Sequence, residues 1–113
     1  MKSSKKEKTS RLSNKELALF TRRFATLARS GVKVIRVTEV CALDCAHKGL
    51  AAALTAIVAS LREGSNFATA MAKYPEFFGG TVWEMFNAGE IGGTLDDCVE
   101  RLADMYEKAC ALA

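Results

Sequence analysis

Apolar residues recur along this chain at intervals of three and four, the spacing that stacks side chains on one face of a helix. Leu17, Phe20, Phe24, Leu27 and Ala28 form the first stripe, while Arg22, Arg23 and Arg29 fall outside it. Ser13-Asn14-Lys15-Glu16 stands just before with the spacing of a capping box, in which the serine oxygen accepts an amide and the glutamate reaches back. A helix is therefore predicted from there to Gly31, where glycine takes the left-handed conformation without steric penalty.

In the next segment, 32–46, local preference and context disagree. Val34, Ile35, Val37, Thr38 and Val40 are β-branched, which favours a strand. A lone strand would have no edge to pair with, whereas Val34, Val37, Cys41 and Cys45 make a helical stripe, so a helix is predicted. After a break at His47-Lys48-Gly49, Leu50, Leu54, Ile57, Val58 and Leu61 give the cleanest stripe, closed by Glu63-Gly64. Ser65 is expected to cap a short helix over 66–73, ended by Tyr74-Pro75. Thr81 is expected to cap a helix carrying Val82, Trp83, Met85 and Phe86 and ending at Gly89. Thr94-Leu95-Asp96-Asp97 opens the last one, with acidic residues at its positive end.

Six helices joined by short glycine-containing links, with no strand pattern, predict an all-α fold: a compact six-helix bundle of antiparallel helical hairpins. With 113 residues, half of them hydrophobic and a single proline, the chain fits one domain over 13–113 behind a basic, flexible tail over 1–12. No apolar run approaches the roughly 20 residues that span a bilayer, and no signal-peptide core follows the opening lysines, so a soluble, cytoplasmic segment is expected. If the tail lies beside an anionic leaflet, each lysine adds roughly 1 kcal/mol of attraction.

Candidate chemistry is sparse. Cys41, Cys45 and His47 invite a zinc site, but their spacing matches no known zinc module, and buried thiols fit better. The chain's one histidine has no obvious nucleophile to serve. Gly89-Glu90-Ile91-Gly92-Gly93-Thr94 precedes a helix as a phosphate loop would, yet lacks Gly-Lys-Ser/Thr and a leading strand. It is expected to be a tight connection in which Glu90 caps or pairs locally, or a protein-binding corner. Asp96, Asp97, Glu100 and Asp104 read as a solvated charged face, with a basic partner or a hard cation as the alternatives. Arg22, Arg23, Arg29, Lys33 and Arg36 leave a nucleic-acid-binding helical domain as the competing class, although the net charge is only +3.

Three segments carry a family likeness: residues 19–32, LFTRRFATLARSGV; residues 62–71, REGSNFATAM; and residues 89–95, GEIGGTL. In this order and spacing they resemble the inner-membrane platform proteins of bacterial type II secretion and type IV pilus assembly, over residues 13–107. The resemblance implies a six-helix cytoplasmic domain, one of two copies in a longer membrane-embedded protein. It implies a scaffold rather than an enzyme, without cofactor. The implied partners are the cytoplasmic secretion or pilus ATPase, other inner-membrane machine components and pilin-like subunits.

The motif positions Phe20, Arg22, Gly31, Gly64, Gly89, Glu90, Gly93 and Leu95 are the candidate interaction residues. Two positions depart from the pattern: Lys33 stands where the family often has proline, and Gly92 where it commonly has serine. Leu19, Phe77, Phe78 and Trp83 hold more apolar surface than their helices easily hide, which makes them candidates for a homodimer interface.

Overall fold

The computed structural model describes residues 12–112. The basic tail lies outside them except for Leu12, which packs against the core. Ser13 and Glu16 form the capping box: Ser13 Oγ accepts the Glu16 amide at 3.1 Å, and Glu16 Oε1 accepts the Ser13 amide at 2.8 Å. They start α1, Asn14–Arg29, which gives way to Gly31 at φ 86°. Helix α2, Val34–Leu43, takes the helical course despite its β-branched residues. It ends three residues before the expected 46. Its buried Thr38 hydroxyl donates to the Val34 carbonyl at 2.8 Å, so no polar group is stranded there.

Helix α3, Lys48–Arg62, begins inside what the sequence suggested was a break. His47 Nδ1 accepts the Leu50 amide at 3.0 Å, so the histidine is the N-cap. The short α4, Phe67–Met71, is capped by Asn66 rather than Ser65, because the Ser65 hydroxyl is engaged as a donor to the Asn66 carbonyl. Helix α5, Thr81–Gly92, has Thr81 already in its first turn, with Gly80 at the cap position. It also runs one turn past Gly89, to Gly93 in the left-handed conformation at φ 72°. Helix α6, Leu95–Leu112, follows at once. There the Thr94 hydroxyl lies 3.8 Å from Cys98 Sγ.

Among the described residues these six helices are the regular structure, and there is no strand. The most extensive contact joins the two sequence-distant helices α1 and α6; α2 packs on α3, and α5 on α6. Phe20, Phe24, Phe67 and Phe86 form the centre. The Phe67 and Phe86 rings stack at 5.2 Å, and Phe24 meets both edge-on. Each such ring, fully buried, contributes roughly 1.5–3 kcal/mol, and each aromatic pair about 0.5–1.5 more. No helix among the described residues is long and apolar enough to cross a membrane.

Candidate functional site

The segments singled out in the sequence converge at one end of the bundle. Val32 after α1, Ser65 and Asn66 after α3, and Gly89, Glu90, Gly93 and Leu95 at the α5–α6 corner line one shallow cleft of about 470 Å³. The corner is tight for a specific reason. A Cβ on Gly89 would lie 2.8 Å from the Leu95 Cα, closer than real side chains come, so only glycine lets α5 cross α6 here. Glu90, expected to cap locally, instead reaches 23 residues back. Its Oε2 accepts the Phe67 amide at 2.6 Å and its Oε1 the Ala68 amide at 2.9 Å. These are the orphan donors of α4, a helix too short to stand alone. From the same side, Trp83 Nε1 donates to the Ala68 carbonyl at 2.9 Å. Adjacent residues of α5 thus hold both neighbours: Gly89 admits α6, and Glu90 clamps α4.

A second cluster joins α1 to α6. Arg22 donates through Nε and NH2 to both oxygens of Glu107 at 2.8 Å each, and through NH2 to Asp104 at 2.6 Å. Seven residues on, Arg29 pairs with Asp97 at 2.6 Å and with Glu100. The Glu107 hydrogen bonds, ahead of those from Asp104, push the Arg22 guanidinium further into its protonated form. In return the Arg22 hydrogen bonds hold the Glu107 carboxyl below the usual range. Elsewhere Arg23 meets Asp44 at 2.7 Å, and Glu39 receives both Arg36 and Arg62. The arginines that suggested a basic face are thus matched by carboxylates, and the acidic run of α6 is largely the counterpart of α1.

The remaining candidates divide between core and surface. Phe20 is buried among Phe24, Phe78 and Phe86. Gly31 and Gly64 serve the helix ends, and Leu95 packs against the core. Of the proposed interface residues, Phe77 and Phe78 belong to the core, Phe78 at 1% exposure, so the aromatic patch expected there is not on the surface. The loop between α4 and α5 folds them inward, where Phe78 meets Phe20 and Phe77 meets His47. Trp83 is half-buried by its bond to Ala68. Leu19, at 59% exposure, is the one that stands out, between clefts of about 540 and 200 Å³. Cys41 is buried, which pushes its thiol up to about 12, and the Cys45 thiol lies 3.4 Å from the His47 carbonyl. A thiol held protonated in this way is a poor metal ligand or nucleophile. Among the described residues no group of three or more metal-ligating side chains converges.

What the geometry defines is a small all-α module whose motif residues and charged side chains are committed largely to its own helix contacts. The chain belongs to the type II secretion system (T2SS) protein F family, whose sequence model matches residues 20–113. It is 33% identical over 94 residues to the type IV pilus assembly protein PilC of Myxococcus xanthus, covering 83% of this chain and 22% of that one. It is 34% identical over 96 residues to the type II secretion system protein F of Vibrio cholerae, covering 85% and 24%. The type 4 fimbrial assembly protein PilC of Pseudomonas putida is 32% identical over 93 residues, covering 82% and 23%. The chain therefore spans about a quarter of the length of these relatives.

Proposed function

We propose that the chain acts as a cytoplasmic domain of an inner-membrane platform protein for type II secretion or type IV pilus assembly. In this role it is a scaffold that links the cytoplasmic ATPase to the assembly of pilin-like subunits, and it catalyses nothing itself. The observation that carries the proposal is the family match over residues 20–113, which takes in the six helices except the first six residues of α1. The internal clamps support it. A part that passes motion between partners must resist deformation, and α1, α4, α5 and α6 are tied to one another by Arg22, Arg29, Gly89, Glu90 and Trp83. Self-association through the surface around Leu19 is part of the same proposal, since symmetric contacts suit a multi-subunit platform.

The competing nucleic-acid role loses its footing, because Arg22, Arg23, Arg29 and Arg36 each face a carboxylate. The deciding experiment is capture of the secretion or pilus ATPase of the same organism by the immobilised, folded domain. Capture that survives physiological salt supports the scaffold role; no capture of either ATPase at micromolar concentration rejects the link. A parallel nucleotide-hydrolysis assay on the domain alone is expected to match its blank.

A further inference from the structure

Val32, Val34, Ile35, Leu61 and Leu95 are half-buried, and together they line the cleft of about 470 Å³ beside the α5–α6 corner. They come from four separate stretches: the link after α1, the first turn of α2, the end of α3 and the start of α6. Among the described residues that line this cleft, the charged ones are Glu90 and Asp96, both acids. Lys33 stands between Val32 and Val34 without lining it.

The two carboxylates are not equally free. Glu90 spends both oxygens on the amides of Phe67 and Ala68. Asp96 accepts the neighbouring Asp97 amide at 3.0 Å, and no cation among the described residues pairs with it. Arg29, on the helix packed against α6, is committed to Asp97 and Glu100 instead. Other clefts balance their charge. The one of about 540 Å³ beside Leu19 sets Lys15, Arg22 and Arg23 with Glu107, and one of about 630 Å³ between α2 and α3 sets Arg36 and Arg62 with Glu39 and Glu63.

We propose that the cleft at the α5–α6 corner takes a segment of a partner protein in which an aliphatic side chain stands next to a lysine or arginine. The aliphatic group lies on Val32, Leu61 and Leu95, and the cation sits beside Asp96. An acid next to an apolar wall attracts a cation more strongly than one surrounded by water. The methylene stem of a lysine or arginine can cover apolar surface while its charged head reaches the carboxylate. The same two acids repel a nucleic acid or an anionic lipid. That the occupant is a protein rests on the scaffold role proposed above; its apolar and basic character rests on the cleft itself.

The intact chain, isotopically labelled, is titrated at low ionic strength with three capped dipeptides: acetyl-Leu-Lys-amide, acetyl-Leu-Glu-amide and acetyl-Ser-Lys-amide. Leu-Lys is expected to bind at millimolar concentration and to move the amide signals of Val32, Leu61, Gly93 and Leu95. Leu-Glu should bind about fivefold more weakly and Ser-Lys about tenfold. Asp96→Asn, which can keep the bond to the Asp97 amide, should weaken Leu-Lys about two- to fivefold, and Asp96→Lys should turn the preference toward Leu-Glu. Glu84→Gln, an exposed acid in the first turn of α5, should change nothing. No movement at the cleft, equal binding of Leu-Lys and Leu-Glu, or a preference unaltered in both Asp96 variants overturns the proposal. So does movement of the same signals when the chain is concentrated alone, which would give the cleft to a second copy. Dipeptide binding without capture of either ATPase keeps this site and rejects the ATPase link; capture without dipeptide binding does the reverse.

Discussion

Arg22 and Glu107 meet through two parallel hydrogen bonds, Nε to Oε2 and NH2 to Oε1, each 2.8 Å long. The fork-to-fork geometry fixes the rotation of α1 against α6 as well as their separation, which a single point charge would not do. Because Arg22 lowers the Glu107 carboxyl in the folded state, its contribution is complete above the ordinary value of 4.5 and is lost as pH falls through the lowered one. Glu107→Gln is therefore expected to lower Tm at pH 7, with the gap to wild type closing as the solution is acidified below 4.5. Arg22→Lys should lose a few degrees at pH 7, since an ammonium is a point charge without the planar fork that makes the two bonds in parallel. Thermal unfolding across pH checks this; parallel acid profiles for wild type and Glu107→Gln would show that the pair carries no linkage.

Glu90 makes a different kind of contact, because its partners are backbone amides of a five-residue helix. A glutamine there has one accepting oxygen for two donors and no charge to assist it. Glu90→Gln should cost about 1–3 kcal/mol and speed hydrogen exchange at Phe67 and Ala68 while α1 and α6 stay protected. Exchange that remains slow at those two amides would mean that the packing of Phe67 holds α4 by itself.

Gly89 and Gly92 stand three residues apart and answer to different constraints. A Cβ at Gly89 meets the Leu95 backbone at 2.8 Å, whereas one at Gly92 meets only Thr94 Oγ1 at 3.6 Å. Gly89→Ala should lower stability by about 1–3 kcal/mol, as overpacking does. Gly92→Ala should be neutral, or stabilising by up to about 1 kcal/mol, as in other helical positions with room for a methyl group. Denaturant melts of the two variants give the comparison, and equal losses would contradict the close crossing.

The helical stripes were legible because burial and period coincide: Phe24, Leu54, Ile57 and Phe86 are all inside, where the pattern placed them. Caps were less legible. Ser65, Asn66, Thr81 and Thr94 are all plausible cap residues, and only the path of the chain selects among them. His47 carries no cap signature in the sequence, because imidazole is an unusual choice there. The Glu90 clamp was invisible, since its partners are amides, which carry no side-chain signature. The α1–α6 pairing leaves a trace in the sequence: Arg22 and Arg29 are seven residues apart, as are Asp97 and Asp104, and Glu100 and Glu107. Two turns on each helix bring these sets into register when the helices run antiparallel. The inward fold of Phe77 and Phe78 had no such trace, because loop residues have no period to reveal their side.

The burial of Phe78 and the exposure of Leu19 separate two variants that the sequence alone would have treated alike. Phe78 is 1% exposed, so Phe78→Ala leaves a cavity and should cost about 3–5 kcal/mol of stability whatever the oligomeric state. Leu19, at 59%, touches too little of its own chain for Leu19→Ala to change the melting of a monomer appreciably. If the clefts on either side of Leu19 receive a second copy of the domain, the leucine is a knob shared across a two-fold axis, and its removal acts twice per dimer. Sedimentation at high micromolar concentration should then give a dimer for the wild type and a largely monomeric species for Leu19→Ala, with the circular dichroism of the two superimposable. A wild type that stays strictly monomeric would reject the dimer, and a Leu19→Ala dimer of undiminished strength would place its interface on another face.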